Sequence, residues 1–478
     1  MRIIHTADWH LGQHFMGKSR EPEHKAFLDW LLDHIKQQEV DALIVAGDVF
    51  DTGTPPSYAR QLYYSFAVEI LKAGCQLVVV GGNHDSVAML EESRDLLDHV
   101  GIRQIARPTE DPADQVVKLF AHDNREQPAA LVCAIPFLRA QHIVKSAAGQ
   151  DIAAKQQQLQ TAIAEHYASV YRAAVTVRES SDVDCPIIAT GHLTAVGASR
   201  SESVRDIYIG TLEAFPADAF PPADYIALGH IHGAQIVAGS DKIRYSGSPI
   251  PLSFDETGRG KEKSVVQLTT GPGATVEPEV IAVPQYRALH TIRGTLDSVE
   301  QQVAALGATV TTEVPRSDAT GSETASSETT PSETTGHQTN TLWLEIIVET
   351  QDYLNDLQQR VADLLDGCDA EVVLLRRQRS QNTATPQGEQ NSTLNELSVD
   401  DIFDIRLREA FNDAQESPDD DTGVKTTALK ARLKTMYQQV VSDVYSEEPG
   451  EPVDDQSGEQ SGEQSGEQSS ELHGSGAS

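Results

Sequence analysis

Through the first half of the chain, short unbroken apolar runs alternate with stretches whose apolar residues recur at helical spacing. The runs are Ile3-Ile4, Ala42-Leu43-Ile44-Val45-Ala46, Leu77-Val78-Val79-Val80, Ala130-Leu131-Val132-Cys133-Ala134-Ile135, Pro186-Ile187-Ile188-Ala189-Thr190 and Tyr225-Ile226-Ala227-Leu228. Apolar runs of this length, bounded by turn residues, predict buried strands of a parallel sheet. Between the first two, Phe27, Leu28, Leu31, Leu32 and Ile35 supply the crossover helix that parallel strands require. A second helix is expected over residues 57–73, after Pro55-Pro56, with Leu62, Phe66, Ile70 and Leu71 on its apolar face. A long helix is expected over residues 152–174. The opening therefore reads βαβαβ, and the fold class is α/β.

After Pro284 the pattern changes. Strands are expected over 286–292, 342–348 and 370–375, and helices over 296–306 and 353–365. Residues 315–340, rich in Ser, Thr, Gly and Glu, read as a disordered insertion in a surface loop. A polar linker, 379–396, precedes a segment in which Ser398 can cap a helix carrying Ile402, Ile405 and Leu407. Further on, Leu429, Leu433, Met436 and Val440 form a helical apolar stripe. Residues 447–478 carry three copies of Ser-Gly-Glu-Gln and no Lys or Arg, a composition that cannot offset its ordering entropy.

Composition narrows the setting. The chain has 478 residues, 39% hydrophobic and 23% charged, enough for a large core divided into domains. The N-terminus runs straight into a strand without the apolar stretch of a signal peptide, and no segment reaches membrane-spanning length. The four cysteines lie far apart with no CxxC spacing, which suggests neither a zinc ribbon nor a disulfide framework and fits a reducing cytoplasm. The formal charge of −35 is unusual for a protein that would touch nucleic acid, since such affinity comes mainly from Lys and Arg.

Chemistry gathers where the runs end. Five of them lead into Asp8-x-His10, Gly47-Asp48-x-x-Asp51, Gly82-Asn83-His84-Asp85, Gly191-His192 and Gly229-His230-x-His232. Open α/β sheets hold ligands at the carboxyl ends of their strands, and these ends are expected to converge on one edge. Asp48 reads as a bridging metal ligand, because a carboxylate has two oxygens that can each hold one divalent ion. Each cluster alone has a plainer use: Gly-Asp is a common turn, Asp8 an N-cap, His192 a packed histidine. His230 and His232, two residues apart, project to one side. The recurrence of all five points to a metal centre.

In this order the clusters resemble the signature of the calcineurin-like metallophosphoesterase superfamily. The surrounding segments TADWHLGQHF, VAGDVFDTGTPPSYAR, GGNHDSVAML, ATGHLTAVGASRS, ALGHIHGAQI and YSGSPIPLSFDE are similar to the SbcD family of bacterial nucleases within it. The similarity is dense to about residue 290 and looser to about residue 445. It implies a layered α/β/β/α nuclease core over 1–283 and a small α+β cap over 284–378. It also implies C-terminal helices over 397–446 that dock on the coiled-coil base of an SbcC-type ABC ATPase, with Leu429, Leu433, Met436 and Val440 as the docking stripe.

The resemblance assigns one metal ion to Asp8, His10, Asp48 and His232 and the other to Asp48, Asn83, His192 and His230. Oxygen and imidazole donors suit Mn²⁺, Mg²⁺, Fe or Zn²⁺, and the family implies Mn²⁺. Two such ions, about 3.5–4 Å apart, clamp a phosphodiester for in-line displacement. With only Asp8 and Asp48 anionic, the loaded site keeps positive charge that draws phosphate inward despite an acidic chain. His84 is implied as the group that contacts the scissile phosphate or protonates the leaving oxygen, oriented by Asp51; its other reading is a hydrogen-bonding neighbour with no proton role. Asp85 is expected to support the metal-site ligands and neighbouring histidines from behind. The helices over 62–71 and 87–97 are the candidates for the self-association seen in the family.

Two readings of function follow. One is a DNA nuclease working with an SbcC-type ATPase on DNA ends and hairpins, in repair, replication and recombination. The other is a stand-alone phosphoesterase acting on small phosphate esters with the same metals. The cap and docking helices favour the first, and the lack of a strong basic patch favours the second.

Overall fold

The computed structural model describes residues 1–144, 152–201, 203–204, 214–258, 260–271, 275–310, 341–350, 357–365 and 368–378. The expected insertion over 315–340, the linker, the docking segment with Leu429, Leu433, Met436 and Val440, and the acidic tail all lie outside these residues.

In chain order the main elements are β1 (Arg2–Thr6), α1 (Glu21–Gln37), β2 (Ala42–Ala46), α2 (Ser57–Lys72), β3 (Gln76–Val80), β4 (Ile102–Ile105), β5 (Val116–Leu119), β6 (Ala130–Cys133), α3 (Ile152–Ser180), β7 (Ile187–His192), β8 (Tyr225–Gly229), β9 (Gln235–Val237), β10 (Ser240–Tyr245), β11 (Ser264–Thr270) and β12 (Val276–Ala282). Then come β13 (Leu289–Gly294), α4 (Leu296–Val310), β14 (Leu342–Glu349), α5 (Leu357–Leu364) and β15 (Ala370–Gln378).

Two six-stranded sheets form the core, in the orders β12-β11-β1-β2-β3-β4 and β9-β10-β8-β7-β6-β5. β1 to β4 run parallel in the first, as do β6, β7, β8 and β10 in the second. The apolar runs carry no polar alternation because both faces of each sheet are covered. Leu43 and Val45 of β2 pack with Phe27, Leu31 and Phe66 of the helices, whereas Ala42 and Ile44 join Val132, Ile188 and Ala227 of the second sheet. In β7 and β8, Ile187 and Ile226 face Ile163 and Tyr167 of α3, while Ile188 and Ala227 point between the sheets. Successive side chains thus divide between a helical layer and a central layer, which gives four layers, α/β/β/α.

These are the layers that the family resemblance implies, and the edge on which the strand ends converge is shared by the two sheets. β1, β2 and β3 belong to one and β7 and β8 to the other, and apolar periodicity cannot show to which sheet a buried strand belongs. Helix starts follow local chemistry: Pro22 with Glu21 and Glu23 opens α1, and Pro56 in extended backbone precedes α2.

The third sheet, β13-β14-β15, is wholly parallel, so this segment has βαβαβ connectivity. One set of its apolar residues, Ile292, Leu344 and Ile346, packs under Val299, Val303 and Val361 of α4 and α5. Leu289 and Trp343 instead meet Phe15 and Phe254 of the core. Met1–Gln381 forms one compact unit.

Candidate metal centre

All five strand-end clusters come together. The donor atoms of Asp8, His10 and His232 lie within 4.8 Å of one another, and so do those of Asp48, His192 and His230. Asp48 joins the two groups: its Oδ2 is 3.1 Å from His192 Nε2 and 3.6 Å from His10 Nε2. Asn83 closes the second group, with Oδ1 2.9 Å from His192 Nε2 and 3.2 Å from His230 Nδ1. The imidazoles cluster the same way, with ring centroids 5.1 Å apart for His10 and His232 and 5.3 Å for His192 and His230.

The backbone is bent to achieve this. Asp8, His10, Asp48 and His230 all take positive φ, at 55°, 46°, 50° and 93°, which side-chain-bearing residues seldom adopt and which concentrates at functional sites. At Gly47 (φ 95°) a Cβ would collide with the His192 ring, and at Gly82 it would strike the Asp48 carboxylate. Both glycines therefore permit the close approach of ligand side chains.

Three histidines share one arrangement. His192 Nδ1 donates to the Ala46 carbonyl at 2.9 Å, His10 Nδ1 to Asp51 Oδ1 at 3.1 Å, and His232 Nδ1 to Glu256 Oε1 at 3.0 Å. With the proton fixed on Nδ1, the Nε2 lone pair is presented to the cluster, the usual role of an outer partner behind a metal-binding imidazole. Nε2 of His10 and of His230 is buried with no hydrogen-bond partner in the protein. Both histidines sit among converging carboxylate and imidazole donors, a setting that fits coordination to a cation.

Electrostatics agree. Burial alone would raise the Asp48 carboxyl, yet the His192 and His10 imidazoles hold it well below the usual carboxylate range. Burial disfavours the charged form of His192, but contact with Asp48 raises it to about 9. His230 falls well below its ordinary value through burial and the adjacent His192. Burial pushes Asp8 up. Asp48 is thus held as a carboxylate and His230 as a neutral imidazole, the forms in which each can bind a metal ion.

Asp51 reaches two histidines, and Asp85 holds the loops that carry the ligands. The Asp51 carboxylate accepts from His10 Nδ1 at 3.1 Å, and the Asp51 carbonyl accepts from His84 Nδ1 at 2.6 Å. Asp85 supports no histidine in these contacts; its oxygens accept Gly82 N (2.8 Å), Phe50 N (3.0 Å) and Val49 N (3.2 Å). A buried carboxylate can satisfy three amides at once, so Asp85 ties the loop after β2 to the loop after β3. His84 is half-buried, its amide donates to Asp48 Oδ1 at 2.9 Å, and its ring lies 4.6 Å from that of His10.

Glu256, behind His232, is a functional residue that the sequence pattern does not reveal. It sits in a single-turn helix, Phe254–Glu256, away from any strand end, within the segment YSGSPIPLSFDE. Acid spacing offers no signal for it.

Residues 1–234 match the family model described as "Calcineurin-like phosphoesterase", and residues 285–411 match one described as "Type 5 capsule protein repressor C-terminal domain". The chain is 47% identical to SbcD, the D component of nuclease SbcCD, of Escherichia coli (strain K12) over 85% of its own length and 92% of that protein. The chain belongs to the SbcD family. It is 36% identical to the protein of the same name from Rhodobacter capsulatus over 60% of its length and 71% of the relative. For the Bacillus subtilis protein of that name the identity is 33%, over 58% and 68% respectively. Membership makes the chain a metal-dependent phosphoester hydrolase of the nuclease type.

Proposed function

We propose that this chain is the nuclease subunit of an SbcCD-like complex, hydrolysing DNA phosphodiester bonds as a hairpin endonuclease and a double-strand 3'-5' exonuclease in repair, replication and recombination. The observation that carries the chemistry is the pair of donor groups, Asp8-His10-His232 and Asp48-His192-His230, with Asp48 Oδ2 also 3.6 Å from His10 Nε2. Asp8, His10, Asp48 and His232 would hold one divalent ion, and Asp48, Asn83, His192 and His230 the other. Mn²⁺ is the proposed metal, with Mg²⁺ as substitute, because the donors are oxygen and imidazole while Cys75, Cys133 and Cys185 are buried elsewhere. Bound there, the ions would supply a nucleophile at neutral pH and charge stabilisation at the phosphoryl oxygens.

The protein's own part is positioning and proton transfer. The loop backbones place both donor sets, and Asp51 orients His10 through its carboxylate and His84 through its carbonyl. With Nδ1 committed to that carbonyl, His84 would carry a proton to the leaving oxygen on Nε2. Arg139, whose guanidinium donates to Asn83 O at 3.4 Å and Asp85 O at 3.0 Å, holds the loop that carries them.

Residues 1–283 serve as the nuclease domain and 284–378 as the cap. The helices within 397–446, through Leu429, Leu433, Met436 and Val440, bind an SbcC-type ABC ATPase. Two copies would associate through residues 62–71 and 87–97, where Val68 and Leu96 are exposed, at 49% and 71%. The setting proposed is the cytoplasm; among the described residues no helix is long and apolar enough to cross a membrane.

End-labelled hairpin DNA with Mn²⁺, the SbcC-type ATPase and ATP tests the proposal. The full chain and a chain ending at Glu448 should cleave alike. A chain ending at Ser380 should still hydrolyse a small chromogenic phosphodiester but lose both partner binding and ATP-stimulated cleavage. Cleavage and pull-down at full strength by the shorter chain would place docking elsewhere.

A further inference from the structure

Resting on the reading of His232 as a metal ligand, we propose that Glu256 is the positioning residue for one of the two ions, with Lys263 as its obligatory counter-charge. Glu256 is 4% exposed, and both of its oxygens are engaged. Oε1 accepts from His232 Nδ1 (3.0 Å), Ser201 Oγ (2.9 Å), Ser253 Oγ (3.1 Å) and Ser203 Oγ. Oε2 accepts from Lys263 Nζ (2.6 Å), Leu252 N (3.0 Å) and Ser248 Oγ (3.3 Å).

The two residues grip His232 at different points. Glu256 and Ser203, whose Oγ is 2.6 Å from Nδ1, fix the ring and its tautomer. Lys263 Nζ donates to the His232 carbonyl at 3.0 Å and fixes the backbone. An imidazole left alone can turn about its Cβ–Cγ bond or exchange its proton between nitrogens, and either move withdraws the Nε2 lone pair from the cluster. A carboxylate at Nδ1 prevents both and raises the basicity of Nε2.

Charge explains why Lys263 is needed. The donor set contains two carboxylates, Asp8 and Asp48, and an unpaired third one behind His232 would lower the positive charge that recruits phosphate. Paired with an ammonium that is itself 10% exposed, Glu256 orients the ligand while adding no net charge. Because all its lone-pair directions are occupied, it is also held back from swinging in as a ligand itself.

Isothermal titration of the metal-stripped full chain with Mn²⁺ tests this. The wild type should show two binding steps; their absence would overturn the metal-site reading rather than the role of Glu256. Glu256→Gln should weaken one step ten- to a hundredfold and leave the other unchanged. The Mn²⁺ concentration for half-maximal hydrolysis of a chromogenic phosphodiester should rise by the same factor, and Glu256→Asp should recover part of it. Ser203→Ala, which removes one contact to the ring, should shift the same step by a smaller factor and serves if Glu256→Gln does not fold. Two unchanged steps in these variants, or loss of both steps together with a lowered unfolding midpoint in EDTA, would overturn the proposal.

Discussion

Two buried polar regions of the molecule use charge in opposite ways. At the strand ends, Asp8, Asp48, His10, His192, His230 and His232 are nearly inaccessible, and their donor atoms converge in groups that Asp48 links. At the junction between the core and the third sheet, Glu23 lies between Arg20 (3.3 Å) and Arg287 (2.6 Å), and all three are buried. Trp343 stacks on Phe15 at 5.7 Å and receives Arg287 at 4.2 Å and Arg20 at 5.6 Å from its ring. At the junction opposite charges and aromatic faces meet within the protein. The strand-end cluster is incomplete as protein and becomes balanced only when cations are added. Burial of charge alone therefore marks neither function nor stability, and the convergence of carboxylate and imidazole donors on one point distinguishes the cluster.

The largest expected effects fall on the incomplete cluster. Asp48→Ala should bring hydrolysis to background and weaken both Mn²⁺ steps, since it removes the shared ligand. His84→Ala should lower the rate by about 10²–10⁴ while metal content stays at the wild-type value. Metal analysis beside single-turnover rates separates the two; metal loss in His84→Ala as complete as in Asp48→Ala would move His84 into the ligand set.

At the junction the order reverses. Trp343→Ala should cost about 3–5 kcal/mol in urea unfolding, the range for large aromatic truncations, with metal binding unchanged in the folded protein. Arg287→Ala should cost a similar amount, because it leaves the Glu23 carboxylate with less compensation in a dry site.

Between the sheets, His5 gives an intermediate effect with a definite sign. Its nitrogens contact Tyr225 Oη at 3.1 Å and the Leu228 carbonyl at 3.2 Å, and burial lowers its pKa to about 3. The unfolded chain therefore takes up this proton near pH 6.5, whereas the folded chain does so only near pH 3. Stability should fall as pH drops through that window, by about 2 kcal/mol between pH 6.5 and 5. His5→Gln should remove that share of the acid sensitivity, and an unchanged pH slope would contradict the assignment. Smallest of all should be Lys18→Ala. Its bridge to Glu371 crosses the same junction as Arg287 but is about 44% exposed, so the cost should stay within about 1 kcal/mol.

The same contrast explains what could be read from sequence. Asp8, Asp48, Asn83, His192 and His230 each follow an apolar run closely, because a parallel strand buried on both faces must end in a loop that reaches the sheet edge. Position and residue type therefore carry the site. The junction has no such pattern: Phe15, Arg20, Glu23, Arg287 and Trp343 meet only after the third sheet folds back on the start of α1. Glu256 escaped for the same reason, and the Asp51 carbonyl that holds His84 is invisible to any reading of side chains. The two-sheet layering comes from the family resemblance and not from periodicity, since β7 and β1 have the same apolar character.

Anomalous diffraction from crystals soaked in Mn²⁺ tests the central claim most directly. Two peaks should appear about 3.5–4 Å apart, flanking Asp48 Oδ2, one among Asp8, His10 and His232 and the other among Asn83, His192 and His230. A single peak, or two peaks that do not share Asp48, would contradict the two-ion centre.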